Sequence, residues 1–149
     1  MTATGHALIG TVIAAKIGNP ALAAPIALAS HFAADALPHW DTGLHRKQNS
    51  KKRFFVKTFI DVMVGFALSY VLISLFFPST NLTYAFFIII MAQLPDWLTA
   101  PYLFFDMKFP PFCWVYKLQK VFDNHLGAPW GVINQVAAVI FIIALAKFF

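Results

Sequence analysis

Apolar residues in this chain come in long runs broken by Pro, Gly and charge, not in alternation. The first run, about 4–17, is stopped by Gly18-Asn19-Pro20. An Ala-rich second run covers about 21–37, where Pro38 disfavours helical geometry for Leu37 and should end the helix. A third run, about 54–77, stops at Pro78. The fourth covers about 82–98, its apolar stretch closing near Pro95, and the last occupies about 130–148. Residues 101–129 are rich in aromatics and Pro and do not read as a span. No segment alternates with period two, so strands are not expected, and open sheets do not sit in lipid. The pattern predicts an all-α protein. It is one integral membrane helical bundle over 1–149, with four to five transmembrane helices and an interfacial amphipathic segment at 101–129. Within that segment, PPFCWVYKLQKVF (110–122) places aromatics for the headgroup zone, where it anchors the chain or covers a site.

Composition agrees with this. The chain is 60% hydrophobic and 11% charged, with a mean hydropathy of +0.70, whereas soluble domains carry about 25% charge. Its 149 residues leave no room for a second domain of any size. The lone Cys113 excludes an internal disulfide and any Cys-rich zinc motif. No Lys or Arg precedes the first apolar run, so that run is expected to belong to the mature protein and not to a cleaved signal. It is short for a span and could tilt or re-enter. Asn81-Leu82-Thr83 matches a glycosylation triplet only at chance level.

Charge adds an orientation. Nine of the eleven basic residues fall in 45–57 and 101–129, leaving only Lys16 and Lys147 elsewhere. Positive charge marks the cytoplasmic side, so both segments are expected in the cytoplasm, beneath a bacterial inner membrane. The basic rim suits anionic lipid heads. Membrane lipid is the expected partner, and nucleic acid is not. In this topology His6, His39, Asp41, Asp96 and His125 all reach one membrane level.

The scarce ionisable groups are concentrated. All six acids are Asp, and HFAADALPHWD (31–41) interleaves two of them with two of the five histidines. His31, Asp35 and His39 are spaced i, i+4, i+8, a stripe of about 12 Å on a helix. A carboxylate at membrane depth is costly unless paired, hydrogen-bonded or metal-bound. A divalent metal would neutralise Asp and accept His nitrogen. Mixed His/Asp ligation without Cys suits zinc first, with manganese or iron as alternatives. The candidate ligands are His6, His31, Asp35, His39, Asp96 and His125, with His45 in reserve. Asp41 is the candidate general base or a further ligand, and Arg46 and Lys47 are candidate phosphate holders. The plainer reading makes His31 and Asp35 a polar pair that joins helices, with His39 and Asp41 solvated among headgroups. Asp61, four residues after Lys57, reads as an i,i+4 ion pair. ALPHWD (36–41) and QLPDWL (93–98) share Leu-Pro-x-Trp, a six-residue echo.

His6-Ala7-Leu8-Ile9-Gly10, Pro38-His39-Trp40-Asp41 and His125-Leu126-Gly127 together resemble a known family. These are the predicted membrane-bound, metal-dependent hydrolases, the LexA-regulated inner-membrane hydrolase group. That family opens on a His-x-x-x-Gly helix, carries Pro-Asp-x-Asp after a second apolar helix, and places a late His before another helix. Here His39 stands for the first Asp, and the Arg-Gly-x-Thr-His-Ser string is missing. The resemblance implies a metal-dependent hydrolase without naming a substrate. The expectation is thus a hydrolase at the cytoplasmic leaflet, acting on a phospholipid or other lipid phosphoester. Its metal is held by His31, Asp35 and His125, with His6, His39 and Asp96 as further or second-metal ligands. The alternatives are a non-catalytic membrane subunit, which could hold a haem or pigment on His31 or His125, and an ion carrier built on the His31/Asp35 pair.

Overall fold

Among the described residues the chain forms six α-helices. They are α1 (Ala3–Lys16), α2 (Pro20–Asp35), α3 (Lys51–Phe76), α4 (Leu82–Phe105), α5 (Phe112–Phe122) and α6 (Trp130–Phe148). A short 3₁₀ turn lies at Arg46–Gln48. The structure, a computed structural model, describes residues 1–44 and 46–148, and of Lys47 the backbone alone.

Side-chain caps set most of the starts, because the first N–H groups of a helix lack intrahelical partners. Thr2 accepts from Gly5 N at 3.2 Å and Asn19 from Ala21 N at 2.9 Å. Ser50 accepts from Arg53 N at 3.2 Å, so α3 begins at Lys51, three residues ahead of the apolar run. Asn81 accepts from Tyr84 N at 2.9 Å, so the glycosylation-like triplet opens a helix.

The expected end of the fourth helix near Pro95 is corrected. α4 continues through Pro95 and Pro101 to Phe105. Membrane helices tolerate Pro where neighbouring groups re-satisfy the loosened turn. Pro95 leaves Met91 O without its i+4 N–H, while the turn around it gains side-chain bonds, from Thr99 Oγ1 to Pro95 O at 3.1 Å and from the His31 ring to Ala92 O at 2.9 Å. Residues 101–105 thus belong to α4, and only α5 occupies the middle of the expected interfacial segment.

Among the described residues three helices are long and apolar enough to cross a membrane: α3, α4 and α6. Four to five were expected. The difference is length. α1 has 14 residues and α2 has 16, or about 21 and 24 Å at roughly 1.5 Å per residue, against a hydrocarbon core of about 30 Å.

α1 is instead the centre of the bundle, packed by α2, α3, α4 and α6. Ala3, His6, Ala7, Ile9, Gly10, Val12 and Ala14 are all buried, so it has no solvent face. Small residues permit the approach, as is usual where helices meet in lipid. A Cβ on Gly10 would lie 2.9 Å from Ala92 Cβ, and one on Gly65 would lie 3.1 Å from Ala7 Cβ. Phe59, Ile60 and Leu75 on α3, Phe86 on α4, and Ile140 and Phe141 on α6 face outward. Such an apolar exterior suits acyl chains.

The Lys57–Asp61 pair expected along α3 is also corrected. Asp61 accepts Ala3 N at 2.8 Å, Thr4 N at 3.2 Å and the Thr4 hydroxyl at 2.7 Å. The carboxylate closes the N-terminus of α1, where the helix dipole favours negative charge. That fixes the first turn of α1, from which His6 projects.

Candidate metal centre

The α1 start, the α2 end, the α4 turn after Pro95, the end of α5 and the segment before α6 meet at one end of the bundle. Two groups of ligand atoms form there: His6, His31 and Asp96, and His39, Asp41, Asp123 and His125. Within each group the ligand atoms lie within 4.8 Å of one another.

The inner group rests on helices. His31 bonds Ala92 O through Nδ1 at 2.9 Å. A carbonyl only accepts, so Nδ1 carries a proton, and in the neutral ring Nε2 carries the lone pair. That lone pair faces Asp35 Oδ2 at 3.3 Å and Asp96 Oδ1 at 3.6 Å. Carboxylate oxygens are acceptors too, so this arrangement calls for a cation or a proton between them. A ring N–H held by a backbone carbonyl is also what orients ligating histidines. The Gln119 amide of α5 supplies partial positive charge, 3.0 Å from His31 Nε2 and 2.8 Å from Asp96 Oδ1. His6 stacks on His31 with ring centroids 3.8 Å apart. Its Nε2 lies 3.2 Å from Asp35 Oδ1, yet among the described residues neither ring nitrogen has a hydrogen-bond partner. A buried polar group left so costs about 1–3 kcal/mol.

The outer group rests on backbone pairing between two loops. His39 and His125 form a parallel bridge. Asn124 N donates to Asp35 O at 3.0 Å, His39 N to Asn124 O at 3.1 Å, and Leu126 N to His39 O at 2.6 Å. This sets His39-Trp40-Asp41 beside Asp123-Asn124-His125. His125 Nε2 lies 2.9 Å from Asp41 Oδ2 and 3.0 Å from Asp123 Oδ1. His39 bonds Leu37 O through Nδ1 at 2.8 Å, leaving Nε2 with a lone pair, buried and without a hydrogen-bond partner among the described residues, 3.7 Å from Asp123 Oδ1. Asp41 Oδ1 accepts Gly43 N at 2.6 Å and Leu44 N at 2.9 Å.

Electrostatics follow from these contacts. The bond to Asp41 outweighs burial and raises the His125 pKa above its ordinary value. Burial works to raise Asp41, but the His125 hydrogen bond and charge prevail and hold it below the usual carboxylate range. Burial pushes His39 down, keeping it neutral, the form that binds a metal.

Asp35 stands between the groups. Its Oδ1 is 3.2 Å from His6 Nε2 and 4.0 Å from His39 Nε2, while Oδ2 faces His31. The Met1 nitrogen also pairs with it. Asp35, Asp41, Asp96, Asp123 and His125 line a cavity of about 870 Å³, shared with Arg46, Phe54 and Leu103. Arg46 sits 5.9 Å over the Phe54 ring and donates to Leu103 O at 3.4 Å. The His45 position and the Lys47 side chain lie outside the described residues.

The expected trio of His31, Asp35 and His125 does not form one cluster. His125 belongs with His39 and Asp41, and Asp35 bridges toward them. Sequence reasoning missed Asp123 and Gln119, which lay in a segment read as interfacial. The mirror of His39-x-Asp41 in Asp123-x-His125 was the available signal. It also missed Gly131, where a Cβ would lie 2.1 Å from Leu126 O and 2.7 Å from Trp40 N. The donor set, with His31 and His39 turning Nε2 toward Asp carboxylates, fits a divalent metal ion, which would replace the proton that His125 Nε2 shares with Asp41. No family model matches the chain, and neither a curated protein nor a solved structure matches it.

Proposed function

We propose that this protein is a membrane-embedded, metal-dependent hydrolase of lipid phosphoesters, acting at the cytoplasmic leaflet of a bacterial inner membrane. Zinc is the first candidate cation, with manganese or iron as alternatives. One observation carries the reading: His31, held through Nδ1 by Ala92 O, turns Nε2 toward the Asp35 and Asp96 carboxylates at 3.3 and 3.6 Å. When bound, a divalent cation supplies positive charge for a developing oxyanion and acidifies water.

The chain's own residues supply the rest. Arg46, held over Phe54 beside Leu103, suits a phosphate whose substrate continues into apolar chains. Asp41 has both oxygens engaged, by Gly43 and Leu44 N–H and by His125, which suits holding His125 in place. Asp96 has a side chain 42% exposed toward the cavity, which suits it to take a proton from water. In hydrolysis the water oxygen bonds to phosphorus and the P–O bond to the alcohol breaks, its electron pair leaving on the alcohol oxygen. One water proton ends on that oxygen and the other passes to solvent through the carboxylate. The basic residues of 45–57 and 101–129 then face anionic lipid heads. The resemblance of His6-x-x-x-Gly10 and Pro38-His39-Trp40-Asp41 to predicted membrane hydrolases points the same way.

The test is metal content by mass spectrometry on detergent-purified protein, with phosphate or phospho-alcohol release from phospholipid micelles. Stoichiometric divalent metal and turnover are expected, both falling at least tenfold in Asp35→Asn. Wild-type protein without divalent metal overturns the reading.

A further inference from the structure

Resting on that metal-dependent reading, we infer that the centre takes two divalent cations. Asp35 is the carboxylate shared between them, and Asp123 is a ligand of the second. Five of the chain's six acids line one cavity, and four of them, Asp35, Asp41, Asp96 and Asp123, lie beside its histidines. Met1 N and Lys120 Nζ neutralise part of the charge on Asp35 and Asp123, and the four carboxylates divide between two histidine pairs, His6 with His31 and His39 with His125.

The orphaned nitrogens divide the same way. His6, 1% exposed and without a hydrogen bond to its ring among the described residues, belongs to the inner group. His39, 0% exposed, turns into the outer group an Nε2 that has no hydrogen-bond partner among the described residues. A cation on His6, His31 and Asp96 does nothing for His39. Its lone pair would still face Asp123 Oδ1 at 3.7 Å and Asp35 Oδ1 at 4.0 Å with nothing between them. The histidines also share one mode of support, since His31 and His39 each give their Nδ1 proton to a backbone carbonyl and present Nε2.

The pairing narrows the substrate. Two adjacent divalent cations stabilise both the attacking and the leaving oxygen of an in-line displacement at phosphorus. A phosphoester is therefore favoured over a carboxylic ester or an amide.

The full chain, stripped with chelator in detergent, is titrated with Mn²⁺ and separately with Zn²⁺, then desalted and analysed for bound metal. The wild type should retain two ions per chain, and its Mn²⁺ form should give an exchange-coupled paramagnetic resonance spectrum. His31→Gln should retain one ion, as should Asp123→Asn combined with His125→Gln, each with the spectrum of an isolated Mn²⁺. One ion per wild-type chain overturns the two-cation inference and leaves the hydrolase reading standing, while none overturns both. Two ions without coupling overturn the shared role of Asp35. The wild-type measurements decide these points even if a variant fails to fold.

Discussion

The inner ligands hang on three helices, and the outer ligands hang on two loops. His6, His31 and Asp96 are placed by α1, α2 and α4, whose packing depends on small residues such as Gly10 and Ala92. His39, Asp41, Asp123 and His125 are placed by a single parallel bridge and the hydrogen bonds on either side of it. Helices position side chains through packed area, so their geometry tolerates small losses. A one-bridge braid has no such reserve, and it depends on the absence of a side chain at Gly131. The difference teaches that one centre can draw on two kinds of rigidity, and that each should fail in its own way.

Gly131→Ala should separate the two most strongly. Its methyl would meet the Leu126 carbonyl and the Trp40 nitrogen, both backbone. We expect a loss beyond the roughly 1–3 kcal/mol of ordinary overpacking, with the outer ion lost and the inner one kept. Thermal unfolding in detergent with metal counting checks this, and an unchanged melting temperature would break the comparison.

Gly10→Ala presses α1 against Ala92 and Ile89. It should cost about 1–3 kcal/mol and weaken the inner ion first. Adding Ala92→Gly should recover part of the loss in the same melts. Asp61→Ala removes the carboxylate that closes α1. About 1 kcal/mol is expected, with inner-site affinity reduced and the outer site unaffected in metal titrations.

The smallest effect is on pH. In chelator-treated protein His125 has a raised pKa, so its contribution is full below the ordinary 6.5 and fades as pH climbs through the raised value. Asp41 has a lowered pKa, so its contribution is full above the ordinary 3.8 and fades as pH drops through the lowered value. The difference in melting temperature between wild type and His125→Gln should therefore peak between about pH 4 and 6.5. A flat difference across that range would mean the pair adds nothing to the outer group.

The chain's own pattern already specified helices without strands, an apolar exterior and the His31/Asp35 spacing that leaves them 3.3 Å apart. These follow from covalent geometry, because a 3.6-residue period and the length of an apolar run are local quantities. Helix lengths were less legible. Ser50 extended α3 through a cap, and α4 runs on past Pro95 where Thr99 and His31 bond the surrounding carbonyls, hydrogen bonds that a hydropathy profile does not carry. The grouping of ligands was decided by tertiary structure alone. Asp41 meets His125 at a sequence separation of 84, and Asp61 reaches Thr4 of α1 at a separation of 57. Contacts of that span depend on which backbones can approach, and that approach is set by Gly10, Gly65 and Gly131, residues whose importance lies in the atoms they lack.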